Sequence, residues 1–274
     1  FWEFAQNSAS GSVNKFTSWT KIREYDFFLP PKKDQAKLAE LLWSIDEVNE
    51  KYLSLKNKYD IYFERLLNDL VSGKLSKNKL KWREFIFGDL GETFGGLSGK
   101  IKTDFGEGSP FITYMNIFNN SKVNPDEVDL VKVGDNENQN KLKYGDILLT
   151  GSSETPQELG MSSVILDEMQ TCYLNSFCFG FRLHNFDALL PEFARYLMRG
   201  QHVRKFMFKH AQGSTRFNLS KITLKTKLKI TLPDIDEQKK IYEKLDSMEQ
   251  CVLDIKNTIK RSENLRKSLI NQIF

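Results

Sequence analysis

The feature that most restricts how this chain can fold is a repeat joining its two ends. Near the start stand S-G-S (Ser10 to Ser12) and F-F-L-P-P-K-K-D-Q (Phe27 to Gln35), then a long charged and apolar segment ending at Val71. Near the end stand Q-G-S-T-R-F-N-L-S-K (Gln212 to Lys221) and I-T-L-P-D-I-D-E-Q (Ile230 to Gln238), then a similar segment to Phe274. At an offset of 203, Leu29-Pro30 falls on Leu232-Pro233, Asp34-Gln35 on Glu237-Gln238, and Leu66-Leu67 on Leu269-Ile270. Self-similarity of this kind predicts one structural unit used twice.

That unit is expected to be a long helix. In the first copy Leu38, Leu41, Ile45, Val48, Tyr52, Leu55, Tyr59, Tyr62 and Leu66 alternate spacings of three and four, the period of a heptad seam. In the second, Ile241, Leu245, Met248, Val252, Ile255 and Ile259 do the same, until Ser262 and Arg266 interrupt the seam before Leu269 and Ile273. Pro30 and Pro233 end what precedes, and Asp234 with Glu237 forms a capping-box-like pair. Roughly 40 residues of helix span about 60 Å at 1.5 Å per residue, more than the core of a small domain requires. A seam this long must be buried against another long helix, and the other copy is the available mate. A mere spacer is the plainer reading, but it does not account for the Gly-Ser and Leu-Pro elements preceding both copies.

Between the helices the texture changes. A lysine-rich connector (Ser72 to Trp82) leads into short apolar runs separated by Gly and polar turns. Strands are expected at Glu84 to Phe87, Pro110 to Phe118, Asp146 to Thr150, Ser163 to Leu166, Cys172 to Leu183 and Leu228 to Leu232. One helix is expected from about Pro191 to Ala211, apolar at Phe193, Leu197, Phe206 and Met207. Its polar side carries Arg195, Arg199, Arg204, Lys205 and Lys209 against Glu192. The domains expected are residues 1–30, a first helix over 31–72, an α+β domain over 73–232 and a second helix over 233–274.

Composition and motifs exclude several chemistries. No apolar run approaches the roughly 20 residues of a membrane span. The chain starts at Phe1 without a basic-then-apolar leader, so it reads as a piece whose N-terminal part lies elsewhere. Cys172, Cys178 and Cys251 are too few for a disulfide scaffold, which predicts a reducing cytoplasm. The formal net charge of +4 is mildly basic, compatible with nucleic acid without requiring it. G-G-L-S-G-K-I (Gly95 to Ile101) is one residue short of a phosphate-binding loop, and Ile101 stands where Ser or Thr would hold magnesium. Asp104-Phe105-Gly106 lacks the other kinase motifs. Asp234, Glu237 and Lys239 crowd one helix start rather than converging from separate strands as in a nuclease. Cys172 and Cys178 with His184, His202 and His210 lack zinc-like spacing. No adenine-methylation motif or glycine-rich cofactor loop appears. No catalysis, metal or cofactor is expected in this chain.

Two copies of G-S-T-R-x-x-L…L-P-x-x-x-E-Q, each followed by a long helix around a variable domain, resemble the specificity subunit of type I restriction-modification enzymes. Gly213-Ser214-Thr215-Arg216, Asn218-Leu219, Leu232-Pro233 and Glu237-Gln238 carry the resemblance, as do F-G-G-L-S-G-K and Y-M-N-I-F (Tyr114 to Phe118). The first copy departs from the pattern, with Val13-Asn14 for Thr-Arg and Asp34 for Glu. The resemblance implies an α+β target-recognition domain flanked by two repeat-related helices packed as an antiparallel coiled coil. It also implies a double-stranded DNA target, two modification subunits that hold S-adenosylmethionine and methylate adenine, and a motor-nuclease subunit that joins for cleavage. By the same pattern Phe1 to Leu29 is the tail of a first recognition domain. Whether one half-site is read or two stays open.

Base edges are read by side chains with paired donors and acceptors, presented from loops on a rigid domain. The candidate loops offer Lys100 and Lys102, Tyr114 and Asn116, Ser152, Ser153 and Thr155, and Arg216 and Lys221. Lys100, Lys102, Arg216 and the basic helix are the expected phosphate contacts. Solvated surface is the plainer reading of each loop, and Arg216 has a rival role as a buttress of the helix base. The alternative to DNA recognition is a coiled-coil interaction protein whose central domain binds a protein or sugar.

Overall fold

The computed structural model describes residues 2–11, 15–26, 29–76 and 81–273. Ser12, Val13-Asn14, Phe27-Phe28, the connector stretch Lys77 to Leu80, and the side chain of Ile273 lie outside what is described. In chain order the elements are α1 (Trp2–Asn7), α2 (Trp19–Ile22), α3 (Lys32–Val71), β1 (Arg83–Ile86), β2 (Gly91–Gly95), β3 (Phe105–Ile112), α4 (Tyr114–Asn119) and β4 (Val128–Val131). There follow β5 (Ile147–Thr150), β6 (Ser152–Ser153), β7 (Ser162–Val164), β8 (Tyr173–Leu174), β9 (Cys178–Leu183), α5 (Pro191–Leu197) and α6 (Gln201–Lys209). The chain ends with β10 (Ala211–Gln212), β11 (Phe217–Leu219), α7 (Lys221–Lys227), β12 (Lys229–Leu232) and α8 (Ile235–Ile273). The residues group into two compact units: Phe1–Asp60 with Cys251–Phe274, and Ile61–Gln250.

In the first unit the far stretches of α3 and α8 hold each other. Ile45, Val252 and Ile259 are buried, and Arg266 Nε donates to Asp46 Oδ1 at 3.1 Å. Asp46 lies in the first half of α3 and Arg266 near the end of α8, so the helices pack antiparallel. On α8 the expected seam residues Val252, Ile255 and Ile259 are buried or half-buried in this unit; of the others, Met248 is half-buried in the second unit, and Ile241 and Leu245 are buried in that unit's core. On α3 four of the nine expected seam residues are corrected. Leu38, Ile45, Tyr52, Tyr59 and Leu66 are covered, but Leu41, Val48, Leu55 and Tyr62 are exposed at 44%, 44%, 42% and 57%. The covered partner column is Leu42, Asn49, Lys56 and Phe63. Both columns complete the same period, and two polar residues hid the true one. Lys56 lays its aliphatic stem along the seam while its ammonium pairs with Asp60 at 2.6 Å. Asn49 leaves its Oδ1 buried without a partner.

The sequence repeat is also a geometric one. Ser10 and Phe16 form a two-way backbone bridge and Gln212 pairs with Asn218 in the same antiparallel sense, around Gly11 (φ 118°) and Gly213 (φ 131°). Ser18 caps α2 by accepting from the Lys21 amide, and Ser220 caps α7 by accepting from the Thr223 amide. These pairs sit at an offset of 202 and the Leu-Pro elements at 203, so one extra residue falls between them in the second copy.

In the second unit an antiparallel sheet, ordered β2-β9-β5-β7, has apolar packing on both faces. Side chains alternate along a strand: Ile147 and Leu149 enter one core with Phe179, Phe181, Phe193 and Met207, whereas Leu148 enters another with Ile112, Ile117, Cys172 and Cys178. Both cysteines are therefore core residues, as expected. Leu67 and Val71 from the end of α3, and Ile241 and Leu245 from the start of α8, belong to the first core. Smaller sheets, β4-β3-β8, β10-β11-β6 and β1-β12, complete the unit.

Three expected elements are corrected. The run Pro110 to Phe118 stops as a strand at Ile112, because Thr113 Oγ1 accepts the Asn116 amide at 3.2 Å and starts α4. The run Cys172 to Leu183 breaks into β8 and β9 at a turn in which Asn175 Oδ1 accepts the Phe177 amide at 2.9 Å. The helix over Pro191 to Ala211 breaks at Gly200, where a Cβ would lie 2.8 Å from Val71 Cγ2. No described helix is long and apolar enough to cross a membrane.

Candidate nucleic-acid interface

Several segments far apart in sequence converge on a cleft of about 350 Å³ in the second unit, lined by Tyr114, Met115, Phe118, Ser152, Ser153, Glu154, Glu158, Phe177 and Arg216. Each wall has a local cause. The Thr113 cap sets α4, which places Tyr114, Met115 and Phe118 on the cleft. The Asn175 turn leaves Phe177 54% exposed at the tip between β8 and β9. The β10–β11 hairpin turns at Gly213, where a Cβ would sit 2.1 Å from the Arg216 carbonyl oxygen. β11 pairs with β6, so Phe217 opposes Ser153 and Asn218 opposes Ser152. Arg216 thereby rests its guanidinium over the Phe177 ring, 5.4 Å from the centroid.

The polar groups of the cleft are largely free. Ser152 Oγ is buried with no hydrogen-bond partner. Among the described residues neither Glu154 nor Glu158 forms an ion pair through its carboxylate, and Arg216 has only its aromatic contact. The Tyr114 phenol is pushed above its ordinary value, first by burial, with the nearby Thr150 side chain opposing. It therefore stays protonated and available as a donor. Ser153 Oγ turns away to the Thr155 carbonyl.

Of the sequence candidates, Tyr114, Ser152, Ser153 and Arg216 meet at this cleft. Thr155 is exposed beside it, and Lys221 is exposed with its ammonium 5.5 Å from the centroid of the Phe179 ring. Lys102 is exposed and apart from the cleft. Two candidates are occupied elsewhere. Asn116 is 1% exposed and donates to the Asn124 and Glu127 carbonyls, each at 2.7 Å, so it clamps a turn and faces no ligand. The Lys100 side chain is 7% exposed and pairs with Glu137 at 2.5 Å.

The basic helix face is corrected more sharply. Arg195 pairs with Asp246 and Glu249 of α8. Arg199 donates to the carbonyls of Ser162, Ile117, Phe118 and Asn120, capping the end of α4. Burial first, then the nearby Arg204 and Arg195 charges, pull its pKa down to about 10. Arg204 donates to the Gln157 carbonyl. These arginines are internal clamps, and only Lys205 and Lys209 of the expected face are exposed. Met115 and Glu154 lie within candidate loops, Tyr114 to Asn116 and Thr150 to Gln157, without having been singled out, and sequence reasoning missed Phe118, Glu158 and Phe177. The polar pair Asn175-Ser176 inside an apolar run was the available signal for Phe177. No group of His, Cys, Asp and Glu among the described residues could hold a metal ion.

Residues 79–262 match the profile of the type I restriction modification DNA specificity domain. The chain belongs to that family. The fold agrees. The crystal structure of the HsdS subunit from Thermoanaerobacter tengcongensis superposes with a TM-score of 0.58 at 17% identity, over 99% of this chain and 67% of that one. A structure described as the basis of complex assembly and conformational transition of the type I R-M system gives 0.64 at 18% identity, over 99% and 68%. The type I restriction-modification S subunit from M. genitalium gives 0.58 at 16% identity, over 98% and 68%. These likenesses concern the fold, an α+β domain flanked in sequence by two long helices.

Proposed function

We propose that this chain is a non-catalytic, sequence-specific DNA-binding subunit of a type I restriction-modification complex. The observation that carries the reading is the convergence of Tyr114, Ser152, Ser153 and Arg216, from three separate segments, on one cleft with unsatisfied polar groups. Base-edge recognition needs such groups fixed on a rigid frame. Lys102, Lys205, Lys209 and Lys221 are exposed, which supports the reading by leaving four ammonium groups free for phosphates.

On this reading the double-stranded DNA is bound but not changed by this chain. Adenine methylation belongs to modification subunits, two per complex, which supply S-adenosylmethionine, and a restriction subunit joins for cleavage. The two helices set the distance between half-sites, and the exposed stripe Leu41, Val48, Leu55 and Tyr62 is offered to the modification subunits. The domain bounds 1–30, 31–72, 73–232 and 233–274 describe these roles, and the cytoplasm is where such a complex meets its DNA.

The test is binding by the chain purified with its modification subunits. One duplex should be bound far better than scrambled DNA, and each phosphate-contacting lysine removed should lower the salt slope by about one unit. Equal binding to every duplex contradicts the reading. One observation favours a second reading, a non-DNA partner for the cleft: two carboxylates and a single guanidinium line it. Retention of an unrelated protein and of no nucleic acid would support it.

A further inference from the structure

The carboxylates that favour the second reading also restrict what part of a DNA duplex the cleft can take. A carboxylate is an acceptor only. Glu154 and Glu158 line the cleft with no cation committed to either, so a phosphate placed there would meet net negative charge. Base edges are different. In the major groove only cytosine N4 and adenine N6 present amino donors, while guanine presents O6 and N7 acceptors and thymine an O4 acceptor. Arg216, held over Phe177 on the same cleft, offers the complementary donors. A C·G pair satisfies both at once, with its cytosine amino group on a carboxylate and its guanine O6 and N7 on the guanidinium. An A·T pair satisfies the carboxylate but gives Arg216 no bidentate acceptor opposite.

We infer that this cleft reads a C·G base pair of the target, through a carboxylate of Glu154 or Glu158 to cytosine N4 and Arg216 to guanine O6 and N7. Tyr114 and Phe177 act as positioning residues, the first as a half-buried donor at the wall and the second as the plate that orients Arg216. The inference rests on the DNA-binding reading and narrows it.

The experiment compares the methylated motifs produced by complexes carrying the wild-type chain, Arg216→Ala, and the pair Glu154→Gln with Glu158→Gln. The wild-type motif is expected to hold a fixed C·G position that both variants relax, with discrimination there falling about tenfold or more and other positions keeping theirs. A wild-type complex without any motif sinks the DNA reading itself. A wild-type motif that the variants leave unchanged, or that Arg216→Ala weakens alike at every sequence, overturns only the base-pair assignment. Should a variant fail to fold, the wild-type complex can be tested on duplex with 7-deazaguanine at the fixed position. That analogue lacks N7 and is expected to cost about tenfold in binding; no loss overturns the assignment.

Discussion

Gln35 and Gln238, one in each copy of the repeat, make the same hydrogen bond: each donates its side-chain amide to the carbonyl of the proline five residues earlier, at 2.7 Å to Pro30 and 3.0 Å to Pro233. Gln238 does more. It is fully buried, donates also to the Ala188 carbonyl at 2.8 Å and accepts the Leu190 amide at 3.0 Å, tying the helix start to the chain entering α5. Truncating Gln238 to Ala leaves buried backbone groups without partners and should cost about 3 kcal/mol. Gln35→Ala loses one partly buried bond and should cost about 1 kcal/mol or less. Chemical denaturation of the two variants checks the difference, and equal losses would contradict the asymmetry.

Arg195 fixes the specificity domain to the base of α8 through Asp246 and Glu249, with Tyr196 Oη contacting both carboxylates at 3.2 Å. Neutralising both acids (Asp246→Asn with Glu249→Gln) strands a buried guanidinium and should destabilise the chain by about 3 kcal/mol. A melting temperature unchanged from wild type would show the clamp to be dispensable.

The corrected seam gives a pair of opposite expectations on α3. Ile45→Ala opens a buried seam position and should cost about 2–4 kcal/mol, whereas Leu41→Ala, one column away and exposed, should cost under about 1 kcal/mol in the isolated chain. Thermal melts distinguish them. Reversed costs would restore the phase expected from sequence.

The three thiols should react at very different rates. Burial pushes the Cys172 thiol up to about 11 and the Cys178 thiol up to about 12, whereas Cys251 is exposed on α8. Since the thiolate is the nucleophile, a disulfide reagent at pH 8 should modify Cys251 quickly and the other two only on unfolding. Fast labelling of three thiols in the native chain would show the second core to be open.

Acid should loosen one loop selectively. Hydrogen bonds from Lys100 first, then from the Gly134 amide and Gln139, hold the Glu137 carboxyl down at about 2, below its ordinary 4.5. A depressed carboxyl stabilises the fold at pH above its unfolded value, and that stabilisation is lost as pH falls through the folded one. The Glu137 carboxyl carbon, followed by NMR, should titrate near 2 in the wild type and move back toward 4.5 in Lys100→Met. No movement would mean that Lys100 does not hold it.

Much of this architecture is legible in residues alone, and the gaps have physical causes. The repeat, the long helices and four of the strands follow from periodicity and proline placement, since period and punctuation are local. The phase of the α3 seam is not legible, because Asn49 and Lys56 occupy buried positions that a count of apolar residues passes over. Arg195, Arg199 and Arg204 look like a solvated basic face because a guanidinium's burial depends on carboxylates and carbonyls far away in sequence. The cleft is half legible. Ser152 and Arg216 stand in Gly- and Ser-rich stretches that announce themselves, and Tyr114 follows the Thr113 cap, but Glu158 and Phe177 join them only through the folding of the chain between strands.

The measurement that bears most directly on the whole account is the map of methylated adenines in DNA treated with modification subunits, with and without this chain. One recurring motif is expected when the chain is present and none when it is left out. Methylation scattered without a shared motif, or the same motif in the chain's absence, would contradict it.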